Sequence, residues 1–325
     1  MSRSSQEPDD RPWLIWLDDQ CDQLQDKRRI GCIITFYNQS EYLSAALESV
    51  LTNFMPEKVL VIDDCSAESE SQFAARCCAA LGITFIRLER NTGPAGARMV
   101  GARLVTDVDF IMFMDSDDVL APDYLAHLRA AFDCHPDAAF SMGVQRFFNK
   151  KYLDSNKSWP VGEKSFLETL DEPCISASGV LFRKSAFDNA GGFRARMKGG
   201  FEDWDLGLRL ASLGFYGVVC PRAIYHYRRP EGSQMARIDP LKRAAIDCAL
   251  WVNNRKHVST VLGDAVFLGR RWWPAVAECV RHGKAGALYT LISEALSRGG
   301  IRFALSVPLQ IAMFSRWLLR SRQGA

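Results

Sequence analysis

The chain has 325 residues, 48% of them apolar and 24% charged, which excludes collagenous, coiled-coil and disordered classes. Lys and Arg total 40 against 38 Asp and Glu, and a net charge of +2 argues against a dedicated nucleic-acid binder. The length suits one large domain with an appendage, or two domains. The charge is uneven: Pro240–Ala325 carries 13 basic and 4 acidic residues, leaving 27 against 34 in the rest. An acidic body with a basic tail suggests a domain joined to something that meets an anionic partner such as a phospholipid surface. The plainer reading is a helical subdomain with a basic solvated face.

The ten cysteines are scattered, with no CxxC pair and no zinc spacing, a usage that fits a reducing compartment. The N-terminus has no apolar signal-peptide core, and no window offers 18 uninterrupted apolar residues.

In chain order, residues 1–28 read as a polar leader with a short helix, Trp13 to Leu24. From Arg29 the pattern alternates. Strands are expected at Ile30–Phe36, Lys58–Asp64, Ile83–Leu88 and Val108–Asp115, since each is a short, largely continuous apolar run. Helical spacing separates them: Leu43, Leu47, Val50 and Leu51; then Ser69–Leu81; then Ala95–Leu104. This βαβ alternation predicts a mostly parallel sheet in an α/β domain. A helix (Pro122–Phe132) and strands at Ala138–Phe147, Ser178–Lys184 and Tyr216–Cys220 follow, with a helix from Glu202 to Gly214. Beyond Pro240 the sequence reads as all helix.

Polar residues gather where strands end, which is where open α/β sheets hold ligands; Thr35, Asp63, Asp64, Asp115 and Asp117 are expected to line one crevice. Asp115-Ser116-Asp117-Asp118 packs three carboxylates into four residues, which repel one another unless a cation neutralises them. Hard oxygen ligands of this kind suit Mg²⁺ or Mn²⁺ bridging substrate phosphates. Asp63-Asp64 can accept hydrogen bonds from a base or ribose, or can simply form a turn. Glu202-Asp203-Trp204-Asp205 follows Gly199-Gly200, and a carboxylate at a helix start can act as a general base or as part of a capped first turn. Asp203 and Leu206 are spaced i,i+3, which sets Asp203 at the edge of the buried face. A helix that buries Trp204, Leu206, Leu208 and Leu210 must leave some of its acids outside.

IITFYNQSEYLSAALESVL, VLVIDDCSAE, NTGPAGARMVGAR, FMDSDD, SASGVLFRKSAF and GGFEDWDLGLRLASLG occur in the order and spacing of family 2 glycosyltransferases. Over roughly Arg29 to Ser233 the chain resembles that inverting family, of the bacterial cell-surface glycan type. The resemblance implies the GT-A nucleotide-diphospho-sugar transferase fold, a mostly parallel mixed sheet flanked by helices. It would span 29–235, with a basic helical C-terminal region at 236–325. The implied reaction moves a sugar from a nucleotide-diphosphate sugar, a UDP-sugar foremost, to an acceptor hydroxyl, with Mn²⁺ or Mg²⁺ as cofactor. Thr35, Tyr37, Asp64, Gly93, Ala97, Arg98, Asp115 and Ser116 are the implied donor-binding residues. Asp117 is the implied metal ligand, assisted by Asp115. Asp203 is the implied base, with Glu202 in support. The family often carries a His near the metal where this chain has Pro230. That contact is left to His226, Arg228 or Arg229. Trp159, in the loop Asn149–Lys164, and Trp204 are candidates for the acceptor side, against a plain core role.

Asp115-Ser116-Asp117-Asp118-Val119 also fits the DxDx[TV] pattern of haloacid-dehalogenase-like phosphatases, although about three strands precede it here. A catalytically inactive sugar-nucleotide-binding module is the non-enzymatic reading. Ile301–Arg320 is apolar but interrupted by Arg302, Pro308, Gln310 and Arg316. It is read as an in-plane membrane-surface helix on the inner face of the plasma membrane, against packing or a true span. The acceptor would then be a lipid-linked or growing surface glycan.

Overall fold

The computed structural model describes residues 12–17, 28–148, 158–160, 163–165, 173–195, 197, 200–229, 250 and 254. The chain divides into two compact units, 10–233 and 1–9 with 234–325. The described residues belong to the first unit, apart from Leu250 and Asn254.

The first unit is built on an eleven-stranded sheet. Its strands are β1 (Pro12–Trp16), β2 (Ile30–Phe36), β3 (Val59–Asp63), β4 (Thr84–Arg87), β5 (Phe110–Asp115), β6 (Val119–Leu120), β7 (Phe140–Phe148), β8 (Ser158–Trp159), β9 (Lys164–Ser165), β10 (Val180–Arg183) and β11 (Gly217–Arg228). The order is β4-β3-β2-β5-β10-β7-β11-β1-β9, with β6 on β11 and β8 on β7. β4, β3, β2 and β5 are mutually parallel, and β10 lies antiparallel between β5 and β7. The helices are α1 (Ser40–Leu51), α2 (Glu68–Ala80), α3 (Pro94–Leu104), α4 (Tyr124–Cys134), α5 (Lys184–Asn189) and α6 (Glu202–Ser212).

Continuous burial explains the strands. Every residue of β2 and β3 is buried, as two-faced coverage by helices requires. The helices bury stripes: α1 packs Leu43, Ala46, Leu47 and Val50 into the same core as Ile34, Phe36 and Met112. Helix α3 starts at Pro94, after Gly93 at φ +77°, a left-handed conformation that glycine adopts without strain. Gly214 closes α6 at φ +80°, and the Phe215 N–H returns to Leu210 O at 3.1 Å.

Three expectations change. Residues 12–16 form a strand, not the start of a helix; β1 pairs with β11 and buries Trp13 against Phe140. The rest of that expected helix, 18–24, lies outside the described residues. The last strand runs on past Cys220 to Arg228 through a register shift, so Tyr225–Arg228 is paired strand. Helix α6 buries Glu202 and Asp205 along with its apolar residues and leaves Asp203 half-buried at the edge of that face. Cys134 is disulfide-bonded, which the scatter of cysteines did not announce. Ile301–Arg320 and the other residues beyond 254 lie outside the described residues. Among the described residues, no helix is long and apolar enough to cross a membrane.

Candidate active site

Parallel pairing brings the strand ends together. Thr35 of β2 lies opposite Asp115 of β5, and Phe36 lies opposite Asp63 of β3. Thr35 Oγ1 donates to Asp115 Oδ1 at 3.0 Å, and the Ser116 N–H donates to Thr35 O. Side chains alternate along a strand, so the two acids of Asp63-Asp64 part. Asp63 is wholly buried and accepts the Ser66 N–H, so it does not line the crevice. Asp64 Oδ1 accepts from both the N–H and the hydroxyl of Thr92, at 2.7 and 2.8 Å. This tie anchors the Asn91–Gly93 turn that leads into α3.

Asp117 is held by Gln39, whose Nε2 donates to Oδ2 at 3.1 Å; Gln39 Oε1 in turn accepts from Ser116 Oγ at 3.1 Å. Burial, then the negative charge of Asp115, pushes the Asp117 carboxyl up to about 6. Asp118 faces away. It takes Tyr225 Oη and the Arg228 N–H, each at 2.7 Å, and burial pushes its carboxyl well above the usual range. Arg228 lies over the rings of Tyr42 and Phe148 and donates from Nε to Asp117 O at 2.7 Å. The end of β11 therefore holds the Asp115–Asp118 turn from outside.

Arg98 does not reach into the crevice. It is 3% exposed, and its guanidinium joins Asp115 (2.5 Å) to Glu202 (2.6 Å), with Ser178 Oγ at 3.4 Å. Burial works against ionisation of Asp115, but Arg98 and hydrogen bonds from Ser178 and Thr35 outweigh it and hold the carboxyl below its ordinary value. Helix α6 thus presents three acids in three states. Glu202 is paired with Arg98. Asp205 is wholly buried between Arg194 (2.9 Å) and Arg209 (2.8 Å). Asp203 sits in neither ion pair and accepts the Trp204 N–H at 2.7 Å. Burial first, then the Glu202 charge, pushes it up to about 7.

Several sequence-derived assignments are corrected. Ala97 and Ser116 are fully buried, so they pack and position rather than touch a ligand. Trp204 is 2% exposed against Phe201 and belongs to the core, not to an acceptor surface. Glu202 is paired with Arg98 at 2.6 Å, so it meets Asp203 as a neighbouring, ion-paired carboxylate. Tyr37 (48% exposed) and Gly93 stay at the rim. Trp159 pairs on β8 opposite Gln145 and is half-buried, while most of its loop lies outside the described residues. The His226 ring meets the edge of Phe148. Among the described residues, no three His, Cys, Asp or Glu side chains gather to hold a metal, so His226 does not complete a set with Asp115 and Asp117. Gln39 escaped the sequence reading, which counted Asp118 only as one of three clustered carboxylates. An i,i+4 pairing of Asp205 with Arg209 was there to be read.

Two carboxylates still fit a divalent cation, because Mg²⁺-type ions usually take one or two protein carboxylates plus substrate phosphates and water. Asp117 fits that role best: it is withdrawn from water, faces another acid, and has a neutral amide as its side-chain partner.

Residues 32–191 match the family described as Glycosyl transferase family 2. The chain is 25% identical over 313 residues to the succinoglycan biosynthesis protein ExoO of Rhizobium meliloti, covering 87% of this chain and 83% of that one. In fold it is similar to the mannosyltransferase PcManGT from Pyrobaculum calidifontis, solved in complex with GDP-Man and Mn²⁺. That likeness has a TM-score of 0.54 at 16% identity, over 90% of this chain and 87% of that one. It is also similar to residues 1–349 of S. aureus TarS in complex with UDP-GlcNAc. There the TM-score is 0.56 at 20% identity, over 74% of this chain and 72% of that one. The sheet and flanking helices are those of the GT-A fold.

Proposed function

We propose, for a glycosyltransferase whose residues 32–191 belong to family 2, that it moves a sugar from a nucleotide-diphosphate sugar to a glycan hydroxyl with inversion. The observation that carries the reading is the meeting, through Arg98, of the strand-end acids and the α6 acids. Asp64 and the Asn91–Gly93 turn shape the nucleotide side, with Tyr37 at the rim. Asp117, with Asp115, would hold a divalent cation, which when bound neutralises the diphosphate and makes it a better leaving group. Asp203 takes the proton of the acceptor hydroxyl as its oxygen attacks the anomeric carbon, and a carboxyl pushed up to about 7 is better matched to that task than an ordinary aspartate. The crevice holds donor and acceptor in line, which replaces a bimolecular encounter by an oriented one.

The relationship to a succinoglycan biosynthesis protein supports a surface polysaccharide or lipid-linked acceptor. A UDP-sugar is the first donor to test. The basic region 236–325 would hold the enzyme on the anionic inner face of the plasma membrane, and sedimentation with anionic vesicles tests that part separately.

The central test is a panel of nucleotide-diphosphate sugars with Mn²⁺. Acceptor-dependent release of nucleoside diphosphate supports the reading. Phosphate release from monoesters would point to the phosphatase alternative, and donor binding without turnover to an inactive module.

A further inference from the structure

The family resemblance assigns Arg98 to donor binding, but its side chain is 3% exposed and both its terminal nitrogens are spent on carboxylates. Arg98 lies on α3, Asp115 at the end of β5 and Glu202 at the start of α6. The Arg98 ring-face contact is Phe193, 5.7 Å from the guanidinium carbon. A buried guanidinium between two carboxylates is a rigid fork, since its planar donors match both acids at once. Glu202 and Asp203 are consecutive, so whatever fixes Glu202 fixes the first turn of α6, including the start of Asp203.

We propose that Arg98 is a positioning residue: by joining Asp115 to Glu202 it ties the donor side of the crevice to the acceptor side and sets the aim and charge surroundings of Asp203. This rests on the reading of Asp203 as the proton acceptor. Three elements place charged or titratable groups toward Asp203: Glu202 on its own helix, Arg98 on α3 and Tyr227 on β11. Glu202 opposes ionisation of Asp203 and Arg98 favours it. The two effects are opposite in sign, and Arg98 also offsets the Glu202 charge directly. The fork therefore sets a balance that neither residue sets alone.

The test is the titration of Asp203, followed by carboxyl ¹³C NMR in metal-free protein carrying labelled aspartate. Asp203→Asn identifies the resonance. Arg98→Gln should move the Asp203 titration upward by on the order of one pH unit, and Glu202→Gln should move it downward. A role in packing alone predicts something else. Loosening α6 would admit water in both variants, and both titrations would fall toward the ordinary aspartate value. Both falling, or neither moving, overturns the proposal. Circular dichroism and thermal unfolding show whether each variant folds. Should Arg98→Gln fail to fold, the near-isosteric Glu202→Gln decides together with hydrogen exchange of the α6 amides: a lowered titration at unchanged exchange supports the proposal, while a lowered titration with faster exchange, or an unchanged or raised titration, sinks it. The two failures are separable. If Asp203→Asn keeps its transfer activity, Asp203 is not the base, whatever the titrations show. If Asp203→Asn is inactive but the titrations do not part, the base stands and Arg98 is not its positioning residue.

Discussion

Gln39 donates to Asp117 Oδ2 at 3.1 Å. The same amide accepts from Ser116, so a residue between β2 and α1 fixes two consecutive residues of the acidic turn after β5. An amide can aim a carboxylate without neutralising it. The pair therefore leaves Asp117 oriented and still short of positive charge, the condition in which a carboxylate binds a cation best.

Asp117→Ala should abolish sugar transfer while leaving the thermal unfolding curve near that of the wild type. The change removes an acid pushed up to about 6 by burial and by Asp115, and it removes no core packing. Mn²⁺ titration by calorimetry should show binding lost. A variant with wild-type turnover would end the metal assignment.

Gln39→Ala should weaken metal binding by about 10-fold or more, in the range seen when an outer partner of a metal ligand is removed. Turnover at saturating Mn²⁺ should fall less than apparent affinity does. The measurement is the Mn²⁺ dependence of the transfer rate; an unchanged dependence would show that Ser116 and the backbone suffice to aim Asp117.

The sheet was legible because its strands are buried on both faces, and burial on both faces writes a continuous apolar run such as Ile30–Phe36 or Phe110–Met114. β1 was not legible. PWLIW is short, carries two tryptophans at helical spacing, and becomes a strand only because the edge of β11 offers it a partner. The acids Asp64, Asp117 and Asp203 stand out in the sequence because carboxylates at strand and helix ends are unusual. Their partners were not, since Arg98 and Glu202 stand 104 residues apart and Gln39 is an ordinary turn residue by composition. Burial takes Ala97, Ser116 and Trp204 off the surface, and the ion pair with Arg98 engages Glu202.

Asp205→Ala should destabilise the fold by about 3–5 kcal/mol, because it strands Arg194 and the buried Arg209 without their shared anion. Urea unfolding monitored by fluorescence measures this. Loss of transfer in this variant should follow loss of folded protein. A stable but inactive Asp205→Ala would instead place Asp205 in the chemistry.

Asp203→Asn should do the opposite to stability while also abolishing transfer. The folded protein holds Asp203 at about 7, against about 3.9 in an unfolded chain. Between those values the folded state binds the proton more strongly, so this group favours folding fully below about 3.9 and loses that contribution as pH rises through about 7. Above 7 the folded protein must hold a carboxylate without a counter-ion of its own partly out of water, and asparagine carries no such charge. The variant should therefore melt at a higher temperature than the wild type near pH 8, and the difference should shrink steadily toward pH 5. The same ionisation governs the reaction with the opposite sign. Only the charged form accepts a proton, so wild-type transfer should rise with pH and level off above about 7. Melting curves and transfer rates recorded over the same pH series check both halves. A variant no more stable than the wild type at pH 8, together with a wild-type transfer profile flat from pH 5 to 8, would mean that Asp203 titrates as an ordinary surface aspartate.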